Sequence, residues 1–250
     1  AAAHRALDRD PLGYTELSEL RERIVAFYAA THGVDVDIDR VLLTAGASAA
    51  LVAAYAAMFR PGDRVALLRP GYPAYRNTLA ALRLEPVEIH CGPEQEFHPT
   101  PAQLEALSPT PQGFVIASPA NPTGAMLDSR QLGALLTTCR ARGIQVISDE
   151  IYHGISFGKR AVSALELDSR AVVINSFSKL YRMPGWRLGW MIVPRDWAAQ
   201  IHSYLINMFL TPSTLAQHAA IAALDEHEDL ERWVRIYERN RSRLIEGLAA

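Results

Sequence analysis

Lysine is nearly missing from this chain: of 25 basic residues only Lys159 and Lys179 are lysines, and the rest are arginines. Cysteine is as scarce, and Cys91 and Cys139 lie far apart with neither CxxC nor His-rich spacing. That argues against a zinc site or a disulfide framework and for two buried thiols in a reducing compartment. No apolar run approaches the length needed to cross a bilayer, and the Ala-rich start is broken by His4, Arg5 and Asp8, so the chain reads as cytoplasmic, with no membrane partner. Excess charge is lacking as well. The formal net charge is −2, acids and arginines are mixed, and without a basic stripe there is little support for a nucleic-acid partner. Internal repeats, low-complexity linkers and heptads are also absent.

What is present is ordinary globular material: 250 residues, 49% apolar, enough for one large domain or two small ones with a packed core. Short apolar runs alternate with amphipathic stretches, the pattern of a parallel sheet flanked by helices. Strands are expected at Val41–Thr44, Arg64–Leu68, Pro86–His90, Phe114–Ser118, Ile144–Ser148, Val172–Asn175 and Leu188–Val193. Helices are expected at Glu16–Thr31, Ser48–Phe59, Tyr72–Ala81, Thr100–Ala106, Ser129–Arg142 and Arg195–Met208. Pro61-Gly62-Asp63 stops a helix, Asp128 or Ser129 can cap one, and Gly143 can end one in a left-handed turn. Asp229 to Ala250 reads as one charged helix that reaches the last residue without a stop signal, which suggests an incomplete chain. Its apolar stripe, Leu230, Val234, Tyr237, Leu244 and Leu248, would need covering by further sequence or another subunit.

Lys179 ends Ser176-Phe177-Ser178-Lys179, just after the apolar run Ala171–Asn175. Most lysines are solvated surface charges, which is how Lys159 reads. Lys179 differs in its neighbours: small hydroxyls before it, and Met183-Pro184-Gly185-Trp186-Arg187-Leu188-Gly189-Trp190 after it. A lysine amine can lose its proton and attack a carbonyl to form an imine, whereas a guanidinium stays protonated. Ligands of α/β sheets bind at the carboxyl ends of strands, where this turn falls.

Other chemistry-bearing residues fall at similar ends. Asp149 opens Asp149-Glu150-Ile151-Tyr152 after a strand. It fits about equally a cap for a following helix and a carboxylate held by a cation such as a protonated pyridine nitrogen. Asn121-Pro122-Thr123-Gly124 suffices as a turn, yet Asn121 could also donate to a phenolate oxygen, as could Tyr152. Thr44-Ala45-Gly46-Ala47-Ser48 leads into a helix whose free amides, with the Ser48 hydroxyl, form a weak anion-binding signal without Walker A spacing. Tyr72, in Pro70-Gly71-Tyr72-Pro73-Ala74-Tyr75, could stack on a planar ligand or simply pack.

In combination these motifs, in this order, resemble the class I and II aminotransferases, the fold-type I group of pyridoxal-phosphate enzymes, from Gly13 onward. The resemblance implies a three-layer α/β/α fold with a mostly parallel seven-stranded sheet, residues 1–225 forming the cofactor-binding large domain and 226–250 a connecting helix. The N-terminal segment and C-terminal small domain of the family would be largely outside this chain. It implies pyridoxal 5'-phosphate bound to Lys179 as a Schiff base, with Lys179 also shuttling the proton between the substrate and the cofactor. Asp149 would pair with the pyridinium nitrogen, Asn121 and Tyr152 with the phenolic oxygen, and Tyr72 would lie on the ring. Ala47 and Ser48 amides, Ser48, Ser176 and Arg187 would hold the phosphate, and Tyr14 would reach the phosphate of a neighbouring subunit in a homodimer. Ala47 stands where many members have glycine. The implied reaction moves an amino group between an amino acid and a 2-oxo acid, without a metal. β-Elimination or cyclisation on the same scaffold, and a non-catalytic sensor module of a transcriptional regulator, remain as alternatives. The arginines of the last helix read as a solvated face, and the arginine for the substrate carboxylate is expected outside this chain.

Overall fold

The computed structural model describes residues 1–9 and 12–249. In chain order the elements are α1 (Ala2–Arg9), α2 (Ser18–His32), β1 (Val41–Thr44), α3 (Ala47–Met58), β2 (Arg64–Arg69), α4 (Pro73–Ala81), β3 (Glu85–His90) and α5 (Pro101–Glu105). They continue as β4 (Gly113–Ala117), α6 (Ser129–Ala141), β5 (Gln145–Asp149), β6 (Val172–Ser176), β7 (Gly189–Ile192), α7 (Arg195–Phe209), α8 (Thr214–Ala223) and α9 (His227–Ala249). The strands form one sheet in the order β1-β7-β6-β5-β4-β2-β3. Only β7 runs against its neighbours.

Side chains alternate across each strand and so build two cores. Leu43, Phe114, Ile116, Val146, Val173 and Trp190 face α2, α5, α6 and α8. Their neighbours Leu42, Val115, Ile147, Val172, Ile174 and Met191 face α3, α4 and α7. The inner strands β4, β5, β6 and β7 are buried on both sides, which is why they read as continuous apolar runs rather than alternating ones. Each fully buried aliphatic or aromatic side chain contributes roughly 1.5–3 kcal/mol relative to exposure.

Local signals set several boundaries. Asp128 caps α6 reciprocally: its Oδ1 accepts from Gln131 N at 2.7 Å, and Gln131 Oε1 accepts from Asp128 N at 2.9 Å. Gly143 follows with φ +70°, the left-handed turn its lack of a side chain permits. Thr100 caps α5 in the same reciprocal way, so that helix begins one residue later than the sequence pattern suggests.

Two helices depart from the sequence expectation. α1 occupies the Ala-rich start and packs on α8, with Ala6 buried. α8 lies in an alanine-rich stretch whose small side chains give little periodic contrast, yet it buries Ala216, Gln217 and Ala220. The residues after Asp149 also differ from the expectation of a capped helix. No helix follows it; Ile151–Gly154 is a turn, so the carboxylate caps nothing helical. It is also the last residue of β5 rather than the one beyond it.

α9 starts at His227, two residues ahead of the expected Asp229, and the expected end at Ala250 lies outside the described residues. Its first half is partly covered: Leu230 packs on the core, and the Arg182 guanidinium lies 3.4 Å from the Trp233 ring centroid. Leu244 and Leu248 are exposed, the latter at 80%.

Candidate active site

β2, β4, β5 and β6 are parallel, and β1 shares their direction because β7, antiparallel to both, separates it from β6. Their carboxyl ends therefore point to one edge, and the antiparallel β7 begins there. That edge gathers Tyr72 beyond β2, Asn121 beyond β4, Asp149 on β5, Lys179 beyond β6, Ala47 and Ser48 beyond β1, and Arg187 just before β7. All of them, with Ser176 and Tyr152, line one cavity of about 220 Å³.

At one side of the cavity the chain builds an anion cradle. Thr44, Gly189 and Ser176 share one register across β1, β7 and β6. This brings the N-terminus of α3 beside the turn after β6. A Cβ on Gly189 would lie 2.7 Å from Asn175 O and 3.2 Å from Ala47 N, so only glycine allows this approach. Gly46 has φ +85°, and a Cβ there would meet the Arg187 guanidinium at 2.5 Å. The first amides of α3 and the guanidinium thus converge, the charge arrangement an anion requires. Ser176 is buried, and its Oγ lies 2.9 Å from Ser178 Oγ and accepts from Ser178 N at 3.1 Å. Ser178 lines the cavity too. Its place in the cavity comes only with the fold, although its spacing two residues from Ser176 is a usable signal in the sequence.

Asp149 occupies the buried part of the cavity, 3% exposed. Its Oδ2 accepts from the Tyr75 hydroxyl at 2.6 Å and its Oδ1 from Ile151 N at 3.2 Å. Burial pushes its carboxyl up to about 6, and these two donors and the Lys179 ammonium act against that shift. Tyr75 is the second residue missed as a functional one; it lay in the aromatic motif, but only the fold shows that α4 turns its hydroxyl toward β5. Burial and the adjacent carboxylate drive the Tyr75 hydroxyl well above its ordinary range.

Lys179 and Lys159 are both exposed, so exposure alone does not distinguish them. Surroundings do: Lys179 lines the cavity, with its Nζ 5.7 Å from the Tyr152 ring centroid. The Tyr152 hydroxyl is raised by burial and by the Asp149 carboxylate, and lowered by the Asn121 side chain. Tyr72 stands edge-on to Tyr75, centroids 5.4 Å apart. Tyr14 is not brought to the cavity. It is 81% exposed, on a segment pinned by Thr214 Oγ1 donating to Gly13 O and Gln217 Nε2 donating to Thr15 O.

A doubly covered, mostly parallel sheet with an anion cradle, a buried acid and an exposed lysine at its carboxyl edge defines an α/β protein with a candidate ligand site there. The sequence pattern described as aminotransferase class I and II matches residues 4–250, and the chain belongs to that family. It is 42% identical to the valine–pyruvate aminotransferase of Mycobacterium tuberculosis over 255 residues, covering 99% of this chain and 66% of that protein. It is 31% identical to the aspartate aminotransferase of Geobacillus stearothermophilus, covering 95% of this chain and 63% of the relative. The crystal structure of an aminotransferase from Mycobacterium tuberculosis superposes with a TM-score of 0.96 at 41% identity, over 99% of this chain and 66% of that one. The chain thus spans a little under two thirds of the length of these curated relatives.

Proposed function

We propose that this chain carries the cofactor site of a pyridoxal 5'-phosphate-dependent aminotransferase, which moves an amino group between an amino acid and a 2-oxo acid. The observation that supports it most is that one cavity is lined together by a buried acid, Asp149, by a cationic anion cradle and by Lys179. The residues suit this cofactor: a ring bearing a phosphate and a protonatable nitrogen needs an anion site and, opposite it, a buried carboxylate.

When bound, the cofactor supplies an electron sink for the carbanion that forms at the substrate α-carbon. The protein supplies position and protons. The Ala47 and Ser48 amides, the Ser48, Ser176 and Ser178 hydroxyls and Arg187 would hold the phosphate. Asp149, fixed by Tyr75 and Ile151 N, would pair with the ring nitrogen in its ionised form. Asn121 and Tyr152 would donate to the phenolic oxygen, and Tyr72 would pack against the ring. The Lys179 amine would anchor the aldehyde and, when free, would move a proton at the substrate α-carbon.

Tyr14 fits a role toward a second copy of the chain in a homodimer with shared sites. Residues 1–225 are read as the large domain, with residues 226–250 leading from it. Among the described residues no helix is long and apolar enough to cross a membrane, and a cytoplasmic location fits the two free, buried cysteines.

Tyr75→Phe removes the hydroxyl donor to a buried carboxylate at a cost of about 1–3 kcal/mol. Cofactor retention is expected to weaken by roughly ten- to a hundredfold, measured as the dissociation constant from visible absorbance. Unchanged affinity would remove Tyr75 from the site. The overall reading is tested by adding single amino acids to the purified cofactor-loaded protein and following loss of the visible band as pyridoxamine phosphate forms. Valine with pyruvate is the first pair to assay, since the 42% identical relative is named for it. Ammonia release without an acceptor would instead indicate a lyase.

A further inference from the structure

Behind the candidate site lies a buried polar set that the proposed chemistry does not use. Asp149 meets Tyr75 on the α4 side, whereas Glu150, 1% exposed, meets the 163–164 segment and α2 on the other. Glu150 Oε1 accepts from Ala164 N at 2.8 Å and from Ser148 Oγ at 3.1 Å. Its Oε2 has no hydrogen-bond partner among the described residues, and neither has His153 Nδ1, yet these two atoms face each other at 3.5 Å. The other ring nitrogen, His153 Nε2, lies 3.0 Å from Ser118 O. A carbonyl only accepts, so Nε2 carries the proton and a neutral ring presents a bare Nδ1. Two bare acceptors facing each other in the interior are costly, and one proton between them satisfies both. With Oε1 already accepting twice, a proton held by the carboxyl sits on Oε2, and with both side chains buried this uncharged arrangement avoids the cost of an interior imidazolium and carboxylate.

The bond from His153 to Ser118 joins the roots of two site loops. Ser118 follows β4, and its Oγ accepts from Leu127 N at 2.9 Å, closing the loop that presents Asn121. His153 directly follows Tyr152. Resting on the cofactor reading above, we propose that Glu150 is held as a neutral acid donating through Oε2 to His153 Nδ1, and that Glu150, His153 and Ser118 form a protonated strut positioning Tyr152 against Asn121 at the cofactor's phenolic oxygen. Glu150 and His153 are thereby positioning residues.

The surroundings agree. Burial pushes the Glu150 carboxyl up to about 7 and the His153 imidazole down to about 4, so both favour their uncharged forms. The other groups facing the pair are the Ser163 hydroxyl, which acts on the Glu150 carboxyl as a donor, His32 and Tyr28 from α2, Asp149 on β5, and the Arg160–Glu166 ion pair at 2.6 Å. His32 Nδ1 is 2.7 Å from Glu166 Oε1.

Three measurements on the cofactor-loaded protein test this. In histidine-selective ¹⁵N spectra, with His153→Phe assigning the signal, His153 is expected as the neutral Nε2–H form throughout pH 6–8; a doubly protonated ring overturns the proposal. In Glu150→Gln the amide still donates to Nδ1, so the pH midpoint of the visible cofactor band should stay at the wild-type value. His153→Phe and Glu150→Leu should move that midpoint upward by about one unit, because donors no longer aimed at the phenolic oxygen leave its charge to hold a nearby proton. If Glu150→Gln behaves like Glu150→Leu, or His153→Phe leaves the midpoint in place, the strut is wrong. Finally, the folded carboxyl titrates near 7 against an ordinary 4.5, so its stabilisation is present at low pH and lost as pH rises through that window. The thermal midpoint of Glu150→Gln relative to wild type should therefore climb across the same window, and a flat difference contradicts a retained proton. A wild-type protein that binds no pyridoxal phosphate would defeat the functional reading instead, while the nitrogen spectra and the melting series on that protein would still locate the proton.

Discussion

Lys179→Ala is expected to eliminate transamination, lowering turnover by more than about 10⁴-fold, because in the proposed chemistry one amine would serve both as the covalent anchor and as the proton carrier. The visible band of lysine-bound cofactor should vanish with it. The fold should not suffer, since Lys179 is exposed and at the cavity wall, so an unchanged thermal midpoint is part of the expected result. Lys179→Arg should be equally inactive: it preserves the positive charge above the Tyr152 ring but cannot lose a proton to attack an aldehyde. Normal turnover in either variant would remove Lys179 from the chemistry. Activity lost with the band intact would assign the anchor elsewhere.

The second large effect is expected at Asp149. Removing one partner of a buried ion pair costs about 3–5 kcal/mol, which corresponds to roughly a hundred- to several-thousandfold in turnover. Asp149→Asn tests this with little change of shape, keeping an acceptor for Ile151 N and a polar partner for the Tyr75 hydroxyl. The sign of the stability change separates chemistry from misfolding. In the cofactor-free protein the folded carboxyl titrates at about 6 against an ordinary 3.8, so the stability it contributes is present at low pH and lost as pH rises through 6. The cofactor-free Asn variant should therefore melt at least as high as wild type above pH 6, by up to about 3 kcal/mol of stability. An inactive variant that also unfolds earlier at pH 8 would count against the pairing role. An active one would end it.

Much of this protein is legible residue by residue. β1 matches its expected span because four consecutive apolar or β-branched residues, Val41–Thr44, bounded by turn residues, have few alternatives. Lys179 was legible because a lone lysine beside small hydroxyls is chemically conspicuous. α8 was less so: alanine satisfies almost any face of a helix, so its burial against α1 and α2 leaves no periodic trace. Tyr75 and Ser178 stood inside motifs that had been noticed, but a motif does not say which way a hydroxyl turns.

Sequence alone determined the strand and helix alternation, which lysine stands as the candidate amine, and the family resemblance, since these depend on side-chain chemistry and on short periodic patterns along the chain. Only the tertiary structure decided which residues meet. The reversal of β7 brings Arg187 to the α3 N-terminus, Tyr75 reaches Asp149 across 74 positions, and His153 reaches Ser118 across 35. Burial then sets the protonation of Asp149 and Glu150, because the cost of charge depends on the surrounding medium, which no stretch of sequence specifies by itself.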